Sequence, residues 1–309
     1  MDYTQEQLRR IRSIDLELYH KLADICGRHH LRFVTGFGTT LGAIRHKGFI
    51  PWDDDMDFLM PREDYEELVR VAPDELRGTC YELLEPRTTK GYVMAFAKLS
   101  RKDSVFLEAV DEHVHYHSGI CIDIFPMDYW PQDRKERNRV AFRCYVLARL
   151  CSLSEYGRPK LPAGMSPGKR KLAHAGCLCI HGCLKLFHVT TEKLYRRYRQ
   201  LAASTSPEKA EGYVTDMCWC WIRKEGRFRW GMFGLQYRDE DLFTPLYVPF
   251  EDTTIPVPAK YDSYLKTAYR DYMVLPPEDK RHCHLPSVLV FPEEYDRKAR
   301  EADRRRRKK

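Results

Sequence analysis

The chain has 309 residues, 43% of them hydrophobic, 12% aromatic and 31% charged, which excludes an extended disordered polymer and leaves room for one large domain or a domain with a sizeable insertion. A net charge of +7 at pH 7 points to anionic partners: nucleotides, phosphorylated glycans, nucleic acid or an anionic membrane surface. The odd count of 11 cysteines and a polar opening segment, with no signal-peptide core and no apolar run able to span a bilayer, read as free thiols in a reducing cytosol.

In chain order, Leu8, Ile11, Ile14, Leu18, Leu22 and Ile25 recur at helical spacing over residues 5–26, with Gly27 as the stop. A short strand is predicted at 31–35, a small helix at 38–45 and a strand at 56–60. Pro61 then opens a helix to about Val71, and further strands are predicted at 81–84, 93–99 and 120–125. This alternation predicts an α+β fold, a mixed sheet flanked by helices. Residues 134–206 read as basic helices around a loop at 157–168, a helical insertion that faces an acceptor or a membrane. Its stretch 169–198 mixes Leu, Ile, Cys and Phe with Lys and Arg, which suits ordinary packing or peripheral membrane contact. Residues 207–300 return to the main domain, turning Pro-rich from Tyr247, and 301–309 is a basic tail.

The chemistry concentrates in F-V-T-G-F-G-T-T-L-G-A-I-R-H-K-G-F-I-P-W-D-D-D-M-D-F, residues 33–58. Close carboxylates repel unless a cation neutralises them. On an extended backbone Asp55 and Asp57 face one side, suited to a hard divalent cation, Mg²⁺ or Mn²⁺, while Met56 and Phe58 enter the core. Asp53 and Asp54 lie in the turn, orienting the pair or binding a second ion. Upstream, Gly36-Phe37-Gly38-Thr39-Thr40 lies between a strand and a helix, where backbone N–H groups can approach a phosphate; it is not a Walker pattern. The set His174, Cys177, Cys179, His181 and Cys183 has the composition of a zinc site, but its spacing fits no paired knuckle, and packing is the expectation. The alternating His113, His115 and His117 read as a solvated loop.

The stretch G-T-T-L-G-A-I-R-H-K-G-F-I-P-W-D-D-D-M-D-F-L-M-P-R-E-D-Y (38–65) resembles the signature of the LicD family, which includes the fukutin-related proteins of animals. The resemblance continues in A-K-L-S-R-K-D-S-V-F (97–106), G-I-C-I-D-I-F-P-M-D (119–128), F-E-D-T-T-I-P-V-P-A-K-Y-D-S-Y-L (250–265) and Y-R-D-Y-M-V-L-P-P-E-D-K-R (269–281). It implies a nucleotidyltransferase-type fold, with residues 1–133 as the catalytic core. It also implies metal-dependent transfer of a phospho-alcohol, phosphocholine favoured, from a CDP-alcohol to a hydroxyl of a cell-surface glycan or its lipid-linked precursor, with release of CMP. Asp55 and Asp57 match the family's Asp-x-Asp metal ligands, and Asp53 matches the carboxylate ahead of them. Asp123 matches the third acidic position, completing the metal shell or accepting the proton of the attacking hydroxyl. Gly38, Thr39, Arg45, His46, Lys98 and Arg101 are assigned to the donor's phosphates, and Lys280-Arg281 reaches over the site. Here the sequence departs from the family, because Arg281 is followed by His282-Cys283-His284 where relatives carry two adjacent histidines.

Trp52, Phe125, Tyr129 and Trp130 are aromatic candidates for a quaternary ammonium, with core packing as the competing reading. The expected partners are a CDP-alcohol, CDP-choline favoured, and a glycan or lipid-linked glycan, at a cytoplasmic site on the inner face of the membrane; no groove-reading motif supports nucleic acid. Two other readings stay open: transfer of a nucleotidyl group to a small acceptor with release of pyrophosphate, and a catalytically silent glycan- or membrane-binding protein.

Overall fold

The computed structural model describes residues 3–108, 116–159, 161, 164–217, 235–278, 281 and 283–295. His113, His115, Lys280, His282 and the basic tail lie outside the described residues. The chain divides into two compact units, one built from Met1–Leu84, Ala97–Phe125 and Asp241–Lys309, the other from Glu85–Phe96 and Pro126–Glu240.

In the first unit, helix α1 (Gln5–His29) starts at a capping box. The Thr4 hydroxyl accepts from the Gln7 N–H, and the Gln7 side chain accepts from the Thr4 N–H. The helix does not stop at Gly27; it continues to His29 and is closed by His30 in the left-handed conformation, which histidine tolerates better than most residues. Then come β1 (Val34–Thr35), α2 (Phe37–His46), β2 (Asp57–Pro61), α3 (Arg62–Glu75), β3 (Tyr81–Leu84), β4 (Ala97–Arg101), β5 (Val105–Glu108) and β6 (Cys121–Tyr129). The main sheet has the order β1-β2-β6-β4-β3. The fold is α+β, as the alternation predicts, although the strands at 31–35 and 93–99 shrink or shift to β1 and β4.

Ile11, Leu18, Leu22 and Ile25 of α1 pack on Met56, Phe58, Leu68, Ile122 and Ile124 in one core, where Tyr19 stacks on Phe58 at 5.6 Å between centroids.

In the second unit, α4 (Arg134–Glu155) is capped by Asp133, whose carboxylate accepts from the Glu136 N–H at 2.8 Å. It is followed by α5 (Pro167–Leu186), α6 (Thr191–Ala202), β7 (Tyr213–Asp216) and β8 (Tyr237–Arg238). The last residues of β6 pair with β7, and β7 with β8, all antiparallel. Trp130, Val140, Cys144, Leu194, Tyr195 and Tyr198 form the core of this unit. The chain finishes with the short α7 (Asp239–Leu242), then β9 (Pro245–Phe250) hairpinned to β10 (Thr253–Pro258), α8 (Tyr261–Tyr269), and β11 (Pro286–Val290), which pairs with β5. The described cysteines are all free thiols.

Candidate active site

The acidic segment is built on a turn at residues 50–53, closed by the Asp53 N–H donating to the Ile50 carbonyl at 2.9 Å. Arg12 of α1 fixes that turn. Its Nη2 donates to the carbonyls of Ile50 (2.7 Å) and Asp53 (2.9 Å), and its guanidinium lies over the Phe49 ring. From Asp53 onward exposure alternates residue by residue. Asp53, Asp55 and Asp57 are half-buried, while Asp54, Met56 and Phe58 are buried. That is the two-residue period of extended chain, so three carboxylates leave by one side and two apolar side chains enter the core.

The start of α2 is tied to this strand. The Asp57 N–H donates to Thr39 Oγ1 at 2.8 Å, and the Gly36 N–H donates to the Asp57 carbonyl at 2.8 Å. A Cβ on Gly38 would sit 2.7 Å from Asp53 Oδ2, so glycine lets the carboxylate stand against the first turn of α2, the end of a helix that favours negative charge. Asp123 arrives on β6, its N–H donating to the Met56 carbonyl at 2.9 Å. Antiparallel register sets it opposite Lys98 of β4, whose ammonium lies 2.6 Å from Asp123 Oδ1.

Burial and mutual repulsion dominate the electrostatics. Asp53 is pushed up to about 8, first by burial, then by Asp55 and Asp54, and it shares a hydrogen bond with Asp55. Asp55 is pushed up to about 6 by burial, with His284 and Lys98 opposing the rise and Asp123 and Asp54 adding to it. Burial, then Asp55 and Asp123, hold Asp57 well above the usual carboxylate range. These are hard oxygen donors short of positive charge, and they fit a divalent cation such as Mg²⁺ or Mn²⁺. Among the described residues they do not converge as a preformed three-ligand shell. Among the described residues, Lys98 pairs with Asp123, His284 stands against Asp55, and Arg12 acts on Asp53.

Two contributors escape the motif reading. His284 donates its backbone N–H to Asp54 Oδ1 at 3.0 Å, and its Nδ1 lies 3.3 Å from Asp55 Oδ2. The hydrogen bond to Asp54 raises it to about 9, so it stands as an imidazolium against the cluster. Asp54 does not join the side that carries Asp53, Asp55 and Asp57. It is 3% exposed, and against burial, which acts upward, hydrogen bonds from His284 and from Tyr3 (hydroxyl 2.5 Å from Oδ2) hold it below its usual range.

The second is Asp15 of α1, fully buried, with neither oxygen hydrogen-bonded among the described residues; burial, then Asp55 and Asp54, push it well above the usual range. Its signal was present in the sequence, since Asp15 falls four residues after Ile11 and three before Leu18, on the apolar stripe itself.

The remaining predicted residues separate. Arg45 and His46 are at the far end of α2, about 12 Å along the axis from Phe37, not beside the glycine turn. Arg45 donates to His46 Nε2 (2.9 Å) and to the Tyr272 carbonyl (2.8 Å). Lys98 and Arg101 diverge because three residues along a strand reverse the face. Lys98 joins Asp123, and Arg101 pairs with Glu17 and Asp103. Trp52 lies under the Arg281 guanidinium, 4.7 Å from the ring centroid. Phe125 packs edge-on against Phe37, Trp130 is buried, and Tyr129 donates to Asp239. In α5, His174 and His181 hydrogen-bond to backbone carbonyls of Pro159 and Leu153.

Residues 30–144, which hold the four aspartates, the α2 turn, Lys98 and Asp123, match the family LicD/FKTN/FKRP, nucleotidyltransferase domain. The chain carries a LicD-family domain. It is 26% identical over 280 residues, 89% of this chain and 94% of the relative, to the lipopolysaccharide cholinephosphotransferase LicD of Haemophilus influenzae. Shorter matches reach an uncharacterised protein of Rickettsia prowazekii (36% identical over 61 residues, 19% of this chain and 23% of that one) and one of Rickettsia typhi (28% over 118 residues, 37% and 35%). The LicD domain match ends before His284 and Arg281, so those contributors come from beyond it.

Proposed function

We propose that this chain transfers phosphocholine from CDP-choline to a hydroxyl of a lipopolysaccharide-type cell-surface glycan or its lipid-linked precursor, releasing CMP. The observation that carries the reading is the gathering of Asp53, Asp55, Asp57 and Asp123 beside the first turn of α2. The Haemophilus relative's cholinephosphotransferase name, matched along nearly its whole length, gives the substrate class.

In this reading the strands β1-β2-β6-β4-β3 and α2 form the catalytic domain, α4 to α6 are the helical insertion, and the reaction takes place on the cytoplasmic side, where nucleotide donors are made. Asp55 and Asp57 would hold a Mg²⁺ or Mn²⁺ ion, with Asp53 hydrogen-bonded beside Asp55. When bound, such an ion neutralises diphosphate charge and eases departure of CMP. The chain's own groups do the rest. The N-terminus of α2, with Gly38 and Thr39, receives a donor phosphate. Trp52 offers an aromatic face to the quaternary ammonium in the place where Arg281 now stacks. The acceptor oxygen attacks the choline-bearing phosphorus in line, and the bond from that phosphorus to the bridging oxygen breaks. The hydroxyl proton passes to Asp123, whose other oxygen stays on Lys98. Positioning and electrostatics supply most of the acceleration.

The test is a panel of CDP-choline, CDP-glycerol, CDP-ribitol, CDP-ethanolamine and CTP, each with and without Mn²⁺. Thermal stabilisation is read first, then CMP or pyrophosphate release with glycan acceptors. Metal-dependent stabilisation by CDP-choline and CMP release support the reading. Pyrophosphate from CTP replaces it with nucleotidyl transfer, and silence across the panel replaces it with a binding protein.

A further inference from the structure

Helix α5 is 20 residues long, yet none of its residues is buried. Its inner side is half-buried: Ala173, Cys177, His181 and Leu184 recur every three or four residues, and the two histidine contacts hold that side down. The exposed face beside it carries Leu172, Cys179, Ile180, Cys183 and Leu186, with Phe187 just past the helix end. The spacing i, i+7, i+8, i+11, i+14 puts them on one face. Leu172 is 76% exposed, Leu186 72% and Phe187 72%. Scattered exposed leucines are ordinary, but a continuous apolar stripe along a whole helix marks an interaction surface.

Charge identifies what covers it. The helix has no acidic residue, and Lys169, Arg170 and Lys171 crowd its first turns with Lys185 in the last. Cations at a helix N-terminus oppose the macrodipole, so helix stability does not account for them. Basic residues flanking an exposed apolar stripe match the two layers of an anionic bilayer surface, acyl chains below and headgroup phosphates above. Crossing the bilayer is a different matter. No single described helix is long and apolar enough, and α5 followed by α6 reaches the required length only across a 99° bend. Helix α6 also buries Leu194, Tyr195 and Tyr198 in the core of its own unit.

We propose that α5 is an interfacial helix that lies flat on an anionic lipid surface, its Leu172–Phe187 stripe inserted and its lysines and arginine against lipid phosphates. The proposal goes beyond the transferase reading and does not depend on it.

The full chain is sedimented with vesicles of phosphatidylcholine alone and of phosphatidylcholine mixed with phosphatidylglycerol. Binding to the mixed vesicles alone is expected, weakened about fivefold by each of Lys169→Gln and Lys171→Gln. Leu172→Ser combined with Phe187→Ser lowers it by about tenfold or more. These side chains are exposed, so Tm stays unchanged and loss of binding is not loss of fold. No binding, equal binding to neutral vesicles, or binding unaltered in the variants overturns the proposal. So does a dimer that the two serine substitutions dissociate, which would make a second copy of the chain the occupant.

Discussion

Asp123 and Lys98 form a cross-strand ion pair at the centre of the acidic cluster, which makes Asp123 the residue where structure and chemistry can be separated. Asp123→Asn keeps shape and hydrogen bonding but cannot take a proton. Steady-state kinetics should show kcat down about 10²–10⁴-fold, with the apparent KM for the donor changed far less. Asp15 behaves differently. Its carboxyl is held above the usual range by burial, so the folded state keeps a proton that the unfolded chain gives up. Its contribution is therefore complete below the unfolded carboxylate value and is lost as pH rises. Asp15→Asn removes that loss. Thermal melts should show a higher Tm for the variant, with the gain larger at alkaline than at acidic pH; a lower Tm at every pH would contradict this account.

At the scale of elements, close approach sets what α2 tolerates. A Cβ on Gly42 would lie 2.5 Å from the Gly48 carbonyl oxygen and 3.2 Å from the Ile50 nitrogen, both backbone. Gly42→Ala should cost about 1–3 kcal/mol in denaturant unfolding. Gly27→Ala, with nothing within 4 Å, should instead gain about 0.5–1 kcal/mol by relieving the entropy of a helical glycine. The same contrast explains what could be read beforehand. The alternation of Asp53, Asp55 and Asp57 against Met56 and Phe58 is local, and a period of two fixes it without knowledge of the rest of the chain. The placement of Arg45, His46 and Arg101 is not local. Eight residues of helical rise carry Arg45 away from Phe37, and a strand's parity turns Arg101 towards Glu17. His284 was illegible for a further reason, since its partner Asp54 lies 230 residues earlier and no local pattern announces the meeting. Asp15 was legible as a break in an apolar stripe.

For the whole molecule, the acidic cluster makes stability depend on pH and, under the proposed function, on metal as well. Folded Asp53 at about 8 and Asp55 at about 6 stand above an unfolded carboxylate of ~4. Their contribution is full below that unfolded value and is lost as pH rises through 6 and then 8. His284, raised to about 9, adds in the same sense: complete below its unfolded value and lost as pH rises through 9. In EDTA, Tm should fall from mildly acidic to alkaline pH. Mn²⁺ should restore it at the alkaline end, where the carboxylates are free of protons. Asp55→Ala with Asp57→Ala should abolish the metal response; a native protein indifferent to Mn²⁺ at alkaline pH would count against the metal site. The first unit also has a consequence in time. It is assembled from three separated stretches of chain, and its imidazolium lies about 160 residues after Asp123. A ribosome adding ~5–20 residues per second spends roughly 8–30 s between making the last aspartate of the cluster and making the histidine that balances it. For that interval the nascent strands carry their carboxylates without that partner, so the centre is closed only once a stretch far along the chain from its aspartates has been made.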